Sequence, residues 1–234
     1  MIYILYFFKL FKMVNLILLG GGKSKFSDKL NSHILDSLPK NRKRILFIPH
    51  AMDPLHRTHQ SCFDEIKGAF KTINFNRIDN LKDLSISEKE ILKYGAVYIG
   101  GGNTFLLSHL FTYSGFKNKL RKLIDSGMLI IGNSAGSILL GKDISFAHDE
   151  NKVNLTDMGG LNYIKDYSVY CHFTEEKYHK EILDYINRTK SSVIALTEDS
   201  GIHIMDDTIL VIGTNSIRKY NADRFSNYNP GDSF

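Results

Sequence analysis

The chain has 234 residues, 43% hydrophobic and 24% charged, with a formal net charge of +5. That is length enough for one α/β domain with a sizeable core, in proportions ordinary for a soluble globular protein. Its Lys and Arg residues are spread along the chain without aromatic interleaving, which argues against nucleic-acid binding. The densest cluster, Lys40-Asn41-Arg42-Lys43-Arg44, reads as a solvated turn before an apolar strand.

No run approaches the roughly 18 apolar residues of a membrane helix, so no membrane partner is expected. Two cysteines, Cys62 and Cys171, form no framework and point to a reducing cytoplasm. Residues 1–12 are apolar and aromatic, with lysines only at Lys9 and Lys12. They lack the leading positive charge and small-residue cleavage site of a secretory signal. Met13 directly precedes the first good strand, so 1–12 is expected to be an extension that need not be native. Residues 13–220 then form a single domain, and the polar stretch 221–234 a C-terminal surface arm.

In chain order, Val14 to Leu19 reads as a strand ending in Gly20-Gly21-Gly22, followed by a helix from Ser27 to Leu38 that Pro39 stops. Arg44 to Ile48 is a second strand, ended by Pro49. A helix over Thr58 to Lys71 leads to a short strand at Thr72 to Phe75. Ser87 to Lys93 makes a helical turn or two. Ala96 to Ile99 is a strand running into Gly100-Gly101-Gly102-Asn103. Helices at Thr104 to Phe111 and Phe116 to Ser126 precede a strand over Met128 to Ile131 and a packed helix over Ala135 to Leu140. This alternation predicts a mostly parallel sheet with helices on both faces. Beyond it, Tyr167 to Cys171 is a strand and Glu175 to Asn187 a helix. Val193 to Leu196, Ile202 to Met205 and Thr208 to Ile212 are short strands, expected as an antiparallel extension at one edge.

Between the strand at Met128 and the helix at Ala135 stands Gly132-Asn133-Ser134-Ala135-Gly136. A Gly-x-Ser-x-Gly on a sharp strand-to-helix turn exposes the serine hydroxyl as a nucleophile. The helix start aims free N–H groups at the place where an oxyanion would form. Open α/β sheets place their sites beyond the carboxyl ends of the strands. The Gly100–Asn103 turn lies there, and its bare backbone can supply a second oxyanion donor. Asn103 is a candidate substrate-binding side chain. Gly20-Gly21-Gly22-Lys23-Ser24 resembles part of a phosphate loop, but Ile17 stands where that pattern needs glycine.

A serine nucleophile needs a base and a carboxylate to orient it. His172, at the end of the strand Tyr167 to Cys171, faces the same rim as Ser134. Its neighbour Cys171 points to the opposite face and reads as core. His50, His56 and His59 read as solvated loop histidines, with no acidic or cysteine partner at a metal-site spacing. His109 and His203 read as structural. For the acid, Glu198 ends another strand, while Asp149, Asp157 and Asp166 are rivals that pattern alone does not separate.

The order of Ile99-Gly100-Gly101-Gly102-Asn103-Thr104-Phe105, Gly132-Asn133-Ser134-Ala135-Gly136-Ser137 and His172-Phe173-Thr174 resembles dipeptidase E. This is the alpha-aspartyl dipeptidase family of serine peptidases, which also includes cyanophycinase. The resemblance covers nearly the whole chain from about Met13. It implies a fold like the class I glutamine amidotransferases, with serine at the elbow. By that resemblance Ser134 is the nucleophile, His172 the general base and Glu198 the acid, and the N–H groups of Gly102 and Ala135 form the oxyanion hole. The Ser, His, Glu order differs from the Ser, acid, His order of α/β-hydrolases.

The chain departs from the family after His-Phe-Thr. Glu175-Glu176-Lys177-Tyr178-His179-Lys180 passes straight into a helix, and its two acids would repel an aspartyl carboxylate unless Lys177, His179 or Lys180 offsets them. The expected function is a serine exopeptidase acting on short peptides, without cofactor or metal, as a monomer or homodimer. The alternatives are an esterase or amidase on the same three residues, and a non-catalytic binding domain.

Overall fold

The computed structural model describes residues 14–22, 28–145, 147–164, 166–222 and 224–234. The extension read at residues 1–12 lies outside them, as do Lys23 and Ser24. The main sheet holds β1 (Asn15–Leu19), β2 (Ile45–Ile48), β3 (Ile78–Asn80), β4 (Ala96–Ile99), β5 (Leu129–Asn133), β8 (Ser200–Met205) and β9 (Thr208–Gly213). Its order is β3-β2-β4-β5-β1-β8-β9. The first five strands are mutually parallel; β8 adds antiparallel to β1, and β9 antiparallel to β8.

Strands buried on both faces read as continuous apolar runs, and β1 shows why. Leu16 and Leu18 pack on one side, Ile17 and Leu19 on the other. Each such side chain, fully buried, contributes about 1.5–3 kcal/mol. Against the Ile17 side lie α1 (Asp28–Ser37) and α2 (His59–Lys71), through Leu30, Ile34 and Phe70. Against the Leu16 side lie α4 (Thr104–Tyr113), α5 (Phe116–Asp125) and α6 (Ala135–Leu140), through Phe105, Phe111, Leu120 and Leu139. The one-turn α3 (Glu88–Ile91) precedes β4.

A second sheet, which the sequence does not announce, has the order β11-β10-β7-β6. It joins β6 (Tyr167–Tyr170) and β7 (Ser192–Leu196), which are parallel, to β10 (Ile217–Asn221) and β11 (Arg224–Tyr228). One face, with Val169, Ile194, Leu196 and Ile217, shares the core of the main sheet. The other is covered by α7 (Glu175–Thr189) through Ile182, Tyr185 and Ile186.

Three expectations change. Val193 to Leu196 is not part of the antiparallel extension, which β8 and β9 alone make; as β7 it pairs parallel with β6 in the second sheet. Thr72 to Phe75 is not a strand but the unwinding end of α2. Asn74 takes a positive φ of 59°, and Phe75 N donates to Phe70 O at 3.0 Å. The third strand comes later, at Ile78–Asn80. The C-terminal arm stays at the surface but is built in: β11 pairs with β10, and Phe234 exchanges backbone hydrogen bonds with Ile209 at 3.0 Å.

Candidate active site

Ser134 joins β5 to α6 at φ 50°, ψ −108°, a sparsely populated conformation that costs on the order of 1–3 kcal/mol. Its neighbours impose it. A methyl group on Gly132 would lie 2.6 Å from the Gly136 carbonyl carbon, and one on Gly136 would lie 2.6 Å from Ile99 O. Strand and helix therefore cross in backbone contact. Ser137, one turn on, ties the crossing together. Its buried hydroxyl donates to Leu19 O or Gly132 O, both 2.8 Å away, and accepts from Leu19 N at 3.0 Å.

The Ser134 hydroxyl lies 2.9 Å from His172 Nε2, and His172 Nδ1 lies 3.0 Å from Glu198 Oε1. The imidazole and the carboxylate are each about half exposed. His172 leaves β6 with a positive φ of 55°, and its N–H donates to Gly20 O at 2.9 Å. That twist separates it from Cys171, whose thiol is buried against Leu19 O and Ser134 O. Burial pushes the Cys171 thiol up, away from the reactive thiolate. Of the rival acids Asp149, Asp157 and Asp166, none takes the place of Glu198 on His172 Nδ1. They accept from Thr104 N, Gly159 N and Asn162 Nδ2 respectively.

The glycine run after β1 is a cradle for the imidazole. A methyl group on Gly21 would fall 2.2 Å from His172 Cε1. Gly21 O also accepts from Asp199 N at 3.3 Å, beside Glu198. The run was visible in the sequence as a phosphate-loop fragment; its contact with His172 was not. Asn215 Nδ2 donates to Glu198 O at 2.7 Å, from a turn seventeen residues on with no motif to mark it.

Gly102, at φ 140°, packs so tightly on Ala51 that a methyl group would lie 2.3 Å from Ala51 O. The N–H groups of Gly102 and Ala135 donate to no acceptor among the described residues, so both remain available to an oxyanion. Asn103 caps α4: its Oδ1 accepts from Leu106 N at 2.9 Å, and its Nδ2 donates to Glu150 O at 2.8 Å. Its amide is thus engaged in fastening the loop after α6.

Gly102, Ser134 and His172 border one pocket of about 220 Å³, walled also by Ile138, Val169, Tyr170, His148 and Asp149. His148 is a contribution that the sequence pattern missed, while Asp149, a rival for the acid, lines the pocket instead. His148 Nε2 lies 2.6 Å from the Tyr170 hydroxyl and 2.9 Å from Glu181 Oε1. The other histidines lie apart. His50 is buried, not solvated, and stacks 5.0 Å from His59, while His109 lies over Tyr113. His203 is held between His33 and Asn15, 2.9 Å from each. Among the described residues, no three His, Cys, Asp or Glu side chains cluster to hold a metal, and no helix is long and apolar enough to cross a membrane.

Comparison with known proteins places the chain. Residues 16–212 match the model of Peptidase family S51. A Peptidase E of Nostoc sp. is 26% identical over 210 residues, 86% of this chain and 85% of its own length. A probable alpha-aspartyl dipeptidase of Drosophila melanogaster is 20% identical over 193 residues, 78% of each chain. The crystal structure of a putative Peptidase E protein from Listeria monocytogenes superposes with a TM-score of 0.68 at 21% identity, over 87% of this chain and all of its own. That of a peptidase from an acI-B1 Actinobacterium superposes with a TM-score of 0.69 at 18% identity, over 96% and 98%. Both share the fold. With the match to its model spanning most of the chain, this protein belongs to peptidase family S51 and is a serine-type peptidase.

Proposed function

We propose that the protein hydrolyses short peptides through an acyl-enzyme formed on Ser134. His172 Nε2 takes the hydroxyl proton as Ser134 Oγ attacks the scissile carbonyl. Glu198 accepts a hydrogen bond from His172 Nδ1–H and stabilises the imidazolium. The N–H groups of Gly102 and Ala135 hold the oxyanion of the tetrahedral intermediate. His172 then gives its proton to the leaving amine, and the C–N bond breaks. Water repeats the sequence on the ester and restores Ser134. Asn103 acts at one remove, by fastening the loop that carries Asp149.

The observation that carries this reading is the unbroken run Ser134 Oγ, His172 Nε2, His172 Nδ1, Glu198 Oε1, with contacts of 2.9 and 3.0 Å. The small pocket favours short substrates, since it falls below the roughly 300–1,000 Å³ of sites for larger ligands. Asp-X dipeptides, suggested by the name of the Drosophila relative, are one such class. Ser134→Ala is expected to lower kcat/KM on short peptides about ten-thousandfold with the circular dichroism spectrum unchanged. Full activity in that variant would overturn the assignment.

A further inference from the structure

Leu196 of β7 pairs with Ile217 of β10 in the second sheet, and Ser200 of β8 pairs with Gly213 of β9 in the main sheet. The register runs through both sheets without a slip. Residues 197–199 therefore face residues 214–216, and the two chain segments pass together from one sheet to the other. Glu198 stands at the middle of that corner, opposite Asn215. Asp199 turns the chain there with a positive φ of 57°, and Gly213 does so on the facing segment at 102°.

The corner is tied residue by residue. Thr197 Oγ1 donates to Ser216 O at 2.9 Å, and Thr214 N donates to Asp199 O at 2.9 Å. Between them Asn215 Nδ2 donates to Glu198 O at 2.7 Å. The peptide unit joining Glu198 to Asp199 is thus gripped at both ends. Its carbonyl takes the Asn215 amide, and its N–H donates to Gly21 O at 3.3 Å. Gly21 is the glycine that packs against the His172 ring. The Glu198 side chain is more than half exposed, so packing does little to aim it. The peptide that carries it sets its reach towards His172 Nδ1.

Resting on the serine-peptidase reading, we infer that Asn215 is a positioning residue for the reaction. It acts through Glu198, fixing the plane of the 198–199 peptide so that the carboxylate meets the imidazole as positive charge develops there. The Thr214 tie needs only a backbone N–H, but the middle tie needs a side-chain donor of asparagine's length. Its loss bears on catalysis more than on stability. Misplacing a catalytic group by about 1 Å costs up to about a hundredfold in rate, whereas substitutions at exposed turns barely move the fold.

The test is a double-mutant cycle on a short peptide, with kcat and KM measured for the wild type, Asn215→Ala, Glu198→Ala and the double variant. Asn215 is exposed and the ties of Thr197 and Thr214 remain, so the urea midpoint of Asn215→Ala should match the wild type. Its kcat should fall about ten- to hundredfold, with KM held within about twofold. In Glu198→Ala no carboxylate is left to place, so adding Asn215→Ala should change kcat by less than about twofold. Equal losses in the two backgrounds, a loss confined to KM, no loss from Asn215→Ala alone, or an Asn215→Ala protein that does not fold would overturn the inference and leave the reading of Ser134, His172 and Glu198 standing. Full activity in Glu198→Ala would overturn that reading and the inference with it.

Discussion

His172 and Glu198 stand two residues beyond the ends of adjacent parallel strands, with Nδ1 and Oε1 3.0 Å apart. The register of β6 on β7 pairs Tyr170 with Ala195, which brings the two strand ends to the same level. Neither residue belongs to the sheet that carries Ser134. The three meet because β1 runs beside β5 and its Gly20-Gly21 turn reaches His172.

This geometry makes Glu198→Gln informative. Glutamine keeps the shape but supplies only a neutral acceptor to His172 Nδ1–H and cannot balance an imidazolium. We expect kcat to fall by roughly three to four orders of magnitude with little change in KM. Steady-state kinetics on a short peptide would show it. A loss below tenfold would remove Glu198 from the mechanism.

The strand runs of the main sheet other than β3, the Gly-x-Ser-x-Gly turn and the bounds of α6 were legible in the sequence, because buried strands and tight glycine crossings leave local signatures; the three-residue β3 (Ile78–Asn80) is too short to leave one. The second sheet was not. Its β10 and β11 carry Arg218, Lys219 and Arg224, and read as polar. Arg218 is in fact buried over Phe225, with its charge met by Glu175. Pattern also could not select Glu198 over Asp149, since both follow apolar segments and only the pairing of β6 with β7 tells them apart.

Glycines at the elbow and on the surface should respond oppositely to alanine. Gly136→Ala forces a methyl group to 2.6 Å from Ile99 O, backbone against backbone, and is expected to abolish folding or cost several kcal/mol. Gly68, inside α2, has open space where its Cβ would go. Gly68→Ala should stabilise by about 0.5–1 kcal/mol. Urea denaturation of both variants checks the pair, and a stability loss in Gly68→Ala would contradict the packing described.

Ser137 offers a separate measure of the crossing. Replacing it by alanine strands the buried Leu19 N–H, which donates to its hydroxyl. Leaving such a group without a partner costs about 1–3 kcal/mol. The denaturation midpoint of Ser137→Ala should fall accordingly. Because the site is built on this crossing, kcat should fall as well, though by far less than in Ser134→Ala.

Acid should loosen the fold through His203. Burial, and secondarily His33, lower its pKa from 6.5 to about 4. The neutral ring satisfies both contacts, with Nε2–H donated to Asn15 Oδ1 and Nδ1 accepting from His33 Nε2–H. In the unfolded chain the ring binds its proton near pH 6.5; in the folded chain it does so only near pH 4. Between those values the unfolded state holds more protons, so stability falls as pH drops through that window and levels off below it. His50, lowered to about 4 chiefly by burial, adds the same sign. Urea midpoints measured from pH 7.5 to 4 should therefore decline, and His203→Asn should flatten the decline only in part, since His50 and His33, both lowered chiefly by burial, add the same sign. A midpoint independent of pH in the wild type would mean that these rings are not buried neutral.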